Sequence, residues 1–192
     1  DIGCGWGEAL EFAARRYGVS GVGITLSKEQ AAFARDLCVG LPIEIRLQDY
    51  REVDERFDRV FSIGMFEHVG YRNYDNFFAA LGNALAPDGV ALMHCIGRAD
   101  GPGVPDPWTR KSIFPGGYSP ALSEIMPPIE RNGLWTTDIE ILRLHYAYTL
   151  EHWYKRVQAS RDAIVALYDE RFFRMWSFYL AGAICAFRYD GH

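Results

Sequence analysis

The sequence predicts a single α/β domain: a mostly parallel sheet with helices on both faces, an antiparallel last strand and a first strand cut short. Short β-branched runs alternate with helix-period stretches through residues 8–95, the pattern of parallel strands joined by crossover helices. A glycine-rich turn, Gly3-Cys4-Gly5-Trp6-Gly7, leads from the end of a buried strand into the first helix. At 192 residues, 49% hydrophobic and 23% charged, the chain suits one domain with a real core and is too short for two ordinary ones.

The elements follow in order. Asp1-Ile2-Gly3 reads as the end of a strand whose earlier residues lie upstream, so residues 1–192 are expected to be a single domain truncated at its N-terminus. Glu8 to Tyr17 carries Leu10, Phe12 and Ala13 at helical spacing. Val19 to Ile24 is the second strand, and Ser27 is the N-cap of a helix through Leu37. Ile43 to Leu47 and Phe57 to Ile63 are the third and fourth strands. Tyr74 to Leu85 is helical, stops at Pro87-Asp88-Gly89, and gives way to a fifth strand, Val90 to Cys95. Periodicity then breaks in a Pro- and Gly-rich stretch at about 98–133, expected to be a lid or substrate-binding insertion. Regular structure is expected again from about Leu134. His145 to Val157 places Tyr146, Leu150, Trp153 and Val157 on one helical stripe. Another helix runs through Phe172 to Tyr179, and Ala183 to Tyr189 is read as the last strand.

Composition excludes some classes of function. A net charge of −5 argues against bulk attraction to nucleic acid or to an anionic surface. Local basic clusters, Lys155-Arg156 and Arg171 to Arg174, remain available to a phosphate headgroup. Cys4, Cys38, Cys95 and Cys185 are widely spaced with no C-x-x-C, which suggests reduced thiols rather than a disulfide frame or a zinc site. No apolar run approaches the ~18 residues of a membrane span.

Asp1-Ile2-Gly3-Cys4-Gly5-Trp6-Gly7 is the most specific motif. Glycines let the strand-to-helix turn adopt positive φ and let a ligand lie against bare backbone at a helix N-terminus. A dinucleotide fold would show G-x-G-x-x-G. The spacing here is G-x-G-x-G after an acid, which resembles motif I of class I methyltransferases. That resemblance implies that Asp1 helps hold the methionine amino group, with Gly3, Gly5 and Gly7 against the nucleotide. At the end of the second strand, Thr25 and Gln30 are neutral groups able to accept hydrogen bonds from ribose hydroxyls, with Leu26 and Ser27 beside them. Asp49 offers a carboxylate for the adenine amino group, and Tyr50 a ring to stack on the base.

The fourth strand runs into Gly64-Met65-Phe66-Glu67-His68-Val69-Gly70 and the fifth into Met93-His94-Cys95-Ile96-Gly97. Both tips fall at the ligand edge of a parallel sheet. Alternation puts His94 and Ile96 on one face and Cys95 on the other, which makes Cys95 a poor candidate for chemistry. Glu67 and His94 together can deprotonate a substrate or hold an anion, whereas His68 is expected to be structural.

Several strings are more specific than a generic methyltransferase motif: the opening heptapeptide, Gly23 to Gln30, Leu47 to Arg51, Gly64 to Gly70, Ile113 to Gly117 and His145 to Leu150. With them the whole chain resembles the cyclopropane-fatty-acyl-phospholipid synthase family, and the fold is expected to be a Rossmann-like class I methyltransferase sheet. The resemblance implies transfer of a methylene from S-adenosyl-L-methionine across the cis double bond of a phospholipid acyl chain. It also implies a bicarbonate ion held by Glu67, His94, the backbone N–H of Ile96, and Tyr146. A family cysteine that contributes to this site belongs to the stretch before the glycine motif. The implied partners are an unsaturated phospholipid and a transient membrane contact, with room for a homodimer and no nucleic acid, in a cytoplasmic protein peripheral to the inner face of the membrane. The 98–133 insertion is the candidate for that contact. Phe66, Tyr118, Trp153 and Phe173 are candidates to stabilise a transient cation, although most such aromatics are core residues. The rival readings are a methyltransferase acting on another lipid or a small amine, a cofactor-binding protein without catalysis, and a nicotinamide-dependent oxidoreductase. The glycine spacing and the missing ribose acid count against the last.

Overall fold

The computed structural model describes residues 1–189. Its elements are α1 (Glu8–Tyr17), β1 (Gly21–Thr25), α2 (Lys28–Leu37), β2 (Ile43–Leu47), β3 (Phe57–Ile63), α3 (Tyr74–Ala84), β4 (Leu85–His94), α4 (Pro107–Ser112), α5 (Leu122–Arg131), α6 (Arg143–Ala159), α7 (Arg161–Leu167) and α8 (Glu170–Tyr189).

β1 pairs in parallel with β2, and β3 with β4. Ile2 joins the two pairs: it bridges Ile24 in parallel and donates its N–H to the carbonyl of Phe61 at 2.8 Å. The buried Ser62 hydroxyl donates to the Ile2 carbonyl at 2.8 Å. The spatial order is therefore β2, β1, Ile2, β3, β4, with every carboxyl end at one edge.

Helices cover both faces. In register with Ile45 of β2, Gly23 presents the face against which Leu10 of α1 and the small Ala31 and Ala34 of α2 pack. The next residue, Ile24, faces the other way and joins Ile2 and Val60 under Phe77, Phe78 and Leu81 of α3. α6 and α8 pack side by side around Ala147, Leu150, Leu180 and Phe187. The ion pair of Glu151 with Arg188 and the hydrogen bond of Gln158 to Ser177 show that the two helices run antiparallel. Leu150 and Leu180 are fully buried, so truncating either to Ala costs about 2–5 kcal/mol.

Four expectations need correction. Ala183 to Tyr189 is not a strand but the last two turns of α8, and no antiparallel strand exists among the described residues. Phe173, Leu180 and Phe187, seven apart, line one buried stripe that continues straight through Gly182. Residues 134–142 form neither helix nor strand, so regular structure resumes only at Arg143. Pro87-Asp88-Gly89 lies inside β4, where the register slips between Phe57↔Leu85 and Arg59↔Val90: the turn residues form a bulge rather than ending the element. The 98–133 stretch holds two helices; Asp106 caps α4, accepting from the N–H groups of Trp108 and Thr109 at 2.9 Å.

Candidate active site

The three motif glycines answer to two different demands. Gly3, Gly5 and Gly7 all have positive φ, at 82°, 56° and 87°, a region costly for residues with a Cβ. A Cβ on Gly3 would sit 2.7 Å from Met65 Cγ, and one on Gly7 would sit 2.8 Å from the Ala34 Cβ. A Cβ on Gly5 would meet nothing within 4 Å. Gly3 and Gly7 thus serve protein packing, and Gly5 alone leaves backbone bare toward open space at the start of α1. The Asp1 carbonyl accepts from Ile24 N–H at 3.0 Å, which holds the motif on the strand end.

Beside it, the buried Thr25 hydroxyl donates to Gln30 Oε1 at 2.9 Å and accepts from the Ser27 N–H at 3.3 Å. Ser27 caps α2 by accepting the Gln30 N–H at 3.2 Å. Thr25 is therefore committed to orienting Gln30, and Gln30 is the member of the pair that reaches partly exposed ground. The Leu26 side chain projects into the open. Asp49 accepts the Arg51 N–H at 2.9 Å and pairs with its guanidinium, which holds the carboxyl below its usual range. Tyr50 packs edge-on against Phe77 with ring centres 5.4 Å apart, so one face of its ring is spent on the core.

At the reaction end, Gly64 N–H donates to the His94 carbonyl at 3.0 Å, zipping the tips of β3 and β4 together. Chain then folds into a helical turn, Phe66–His68, with Phe66 fully buried against Tyr74, Phe77 and Phe78. That anchor aims the neighbouring Glu67 at the tip of β4. Ile96 N–H donates to Glu67 Oε1 at 2.7 Å, whereas Oε2 is buried with no hydrogen-bond partner. The Glu67 carbonyl accepts the Tyr118 N–H at 2.9 Å. Tyr146 comes from α6, its ring packed against Phe187 at 4.9 Å and Trp153 at 6.2 Å. Burial, and after it the Glu67 carboxylate, raises the Tyr146 hydroxyl pKa, so the group remains a proton donor. Burial and the same carboxylate push the Cys95 thiol up to about 12.

Glu67, Ile96 and Tyr146 therefore converge, and His94 stands exposed at the end of β4 beside them. The Ile96 N–H, which the family resemblance assigned to an anion, here bonds the Glu67 carboxylate. His68 is exposed on its helical turn and bonds through its backbone to Met65. Phe66 and Phe173 are core residues, and Tyr118 donates its hydroxyl to Glu124 at 2.7 Å. Two contributors escaped the sequence reading. Met65 closes the glycine loop against the reaction-side loop, and the Tyr74 hydroxyl, like Glu67 Oε2, is buried without a hydrogen-bond partner. Met65 lies inside the Gly64 to Gly70 string and Tyr74 outside any motif; only the fold shows what either one meets. A cleft of about 1370 Å³ runs along β4 and reaches this centre at His94, Ile96 and Tyr146, but the glycine motif does not line it.

No helix among the described residues is long and apolar enough to cross a membrane. The family model described as mycolic acid cyclopropane synthetase matches residues 1–191. The cyclopropane-fatty-acyl-phospholipid synthase of Escherichia coli is 43% identical over 188 residues, 98% of this chain and 49% of that protein. The chain thus spans about half the length of that relative. Among solved structures, the cyclopropane synthase MmaA2 from Mycobacterium tuberculosis superposes with a TM-score of 0.89 at 32% identity, covering 98% of this chain and 72% of that one. The mycolic acid cyclopropane synthase CmaA1, complexed with SAH and CTAB, gives 0.88 at 33% identity, over 98% and 72%. With these superpositions and its parallel strand pairs flanked by helices, the chain has the Rossmann-like class I methyltransferase fold. The chain belongs to the mycolic acid cyclopropane synthetase family.

Proposed function

We propose that this chain forms the catalytic part of an S-adenosyl-L-methionine-dependent enzyme that adds a methylene across the cis double bond of an unsaturated phospholipid acyl chain. The supporting observation is the Glu67 carboxylate, fixed through one oxygen by Ile96 N–H, with the other buried and unpaired beside Tyr146. Gly5 and the adjoining loop would give the cofactor bare backbone, Gln30 would meet its ribose, and Asp49 and Tyr50 would flank the adenine.

S-adenosyl-L-methionine supplies an electrophilic methyl on sulfonium. An alkene is a weak nucleophile, so the chain must hold the double bond against that methyl and exclude water. The alkene would bond to that methyl as its carbon–sulfur bond breaks and S-adenosylhomocysteine leaves; the positive charge then left on the neighbouring carbon would be quenched as the new methyl loses a proton and closes the ring. The residues suit a bicarbonate that would receive that proton: Glu67 Oε2 is open to accept a hydrogen bond from its hydroxyl, the Tyr146 hydroxyl can donate to its oxygen, and Ile96 N–H holds the Glu67 carboxylate in place. When bound, bicarbonate would supply the base. Glu67 and Tyr146 would orient it, and His94 at the exposed rim would pass the proton outward.

The test combines cofactor carrying a labelled methyl with mixed phospholipids, and mass spectrometry to locate the label. Label in ring-bearing acyl chains supports the reading; untouched lipid beside a methylated small amine contradicts it. Glu67→Gln is expected to keep S-adenosylhomocysteine affinity in calorimetry and to lose turnover.

A further inference from the structure

We propose that the surface shared by α4 and the outer side of α8 docks onto an anionic phospholipid bilayer. This rests on the phospholipid substrate proposed above and names the surface that meets it.

The outer stripe of α8 carries Arg171, Arg174 and Phe178 at i, i+3 and i+7, all exposed. Phe178 is 67% exposed, and its ring meets Trp108 of α4 edge-on at 5.2 Å. Three residues beyond Trp108 lies Lys111, with Arg110 beside it, and both line a hollow of about 520 Å³ together with Val104 and Pro115. Val104 is 69% exposed. None of Arg110, Lys111, Arg171 and Arg174 has an ion-pair partner among the described residues. The neighbouring acids are already engaged: Asp106 and Asp169 cap helices, and Glu170 and Asp162 pair with Arg161. Free cations therefore ring exposed Trp and Phe on a chain whose net charge is −5. That combination suits the boundary of an anionic bilayer, where aromatics settle at headgroup level and Lys and Arg meet phosphate.

The inner side of the same helix faces the chemistry. Tyr179, next to Phe178, packs on Phe114 at 5.8 Å; burial, and after it the nearby Tyr146 hydroxyl, raises the Tyr179 pKa. One helical turn thus links the docking face to the reaction centre. A lipid would need to rise only across α8 to present its acyl chain.

Sedimentation of the whole chain with vesicles tests this at low salt. Equimolar phosphatidylglycerol and phosphatidylethanolamine vesicles should bind it, and pure phosphatidylcholine vesicles should bind it far less. Each basic side chain near an anionic surface contributes about fivefold in partition, so the double variant Arg171→Glu, Arg174→Glu should bind at least ~25-fold more weakly. Trp108→Ser with Phe178→Ser should weaken binding at any salt, whereas the charge variant's loss should shrink as salt rises. Arg16→Glu with Arg59→Glu makes the same charge change on exposed positions away from α4 and α8, and should bind as the parent does. Equal thermal melting among the variants excludes misfolding. Failure of the parent to bind, or equal loss in the control, overturns the proposal. Methyl transfer to detergent-dispersed lipid is scored separately: vesicle docking without any transfer would sink the chemistry and leave the docking face standing.

Discussion

The proposed cofactor end and the proposed reaction end of the sheet are built by different means. The cofactor end is mostly local: Thr25 to Gln30 and Asp49 to Arg51 each fold on themselves, with capping and side-chain bonds spanning two to five residues, and only the glycine loop leans on distant Met65 and Ala34. The reaction end is assembled across the chain. Glu67 meets Ile96 over 29 residues, and Tyr146 arrives from α6, whose position depends on packing against α8. Local construction makes a nucleotide pocket robust; long-range construction leaves the chemistry hostage to core packing.

Variants can break this contrast at several strengths. Tyr146→Phe keeps the ring contacts with Phe187 and Trp153 and removes only the hydroxyl. It is expected to lower turnover by about 10²–10⁴ while leaving cofactor affinity and melting temperature unchanged, because proton transfer by a positioned group contributes on that order. Unchanged turnover would remove Tyr146 from the chemistry. Phe66→Ala empties a fully buried position behind Glu67. It should cost about 3–5 kcal/mol by denaturant titration and damage turnover more than cofactor binding. Parallel losses would mean that the two ends are not independent.

The motif glycines sharpen the contrast further. Gly5→Val should abolish S-adenosylhomocysteine binding with a stability loss near the ~1–2 kcal/mol of positive-φ strain, since its Cβ meets no protein atom. Gly7→Ala should instead destabilise the fold, because its Cβ would press on Ala34. Equal melting temperatures for the two would contradict this division. The smallest effect concerns thiols. With its pKa pushed up to about 12, Cys95 stays protonated well above neutral pH. Iodoacetamide at pH 8 should label exposed Cys185 and spare Cys95, read by peptide mass.

The sequence was legible where local rules decide. The Ser27 cap and the bounds of β2 and β3 agree with the structure residue for residue. Legibility failed where packing overrules propensity. Ala183 to Tyr189 carries the strand-favouring Ile184, Phe187 and Tyr189 and follows Gly182, a residue unfavourable inside a helix. One glycine costs a helix only about 1 kcal/mol, less than burying Leu180 and Phe187 against α6 returns. At the site, the residue types of Glu67, His94 and Tyr146 were readable, but the Ile96–Glu67 bond and the contact of Met65 with Gly3 were not. Neither follows from spacing along the chain.

A crystal structure of this chain with S-adenosylhomocysteine tests the central claim most directly. The account predicts the ligand lying along Gly3 to Gly7, its ribose at Gln30, and its sulfur turned toward Glu67 and Tyr146. A ligand seated instead in the long cleft beside β4, away from Gly5, would contradict it.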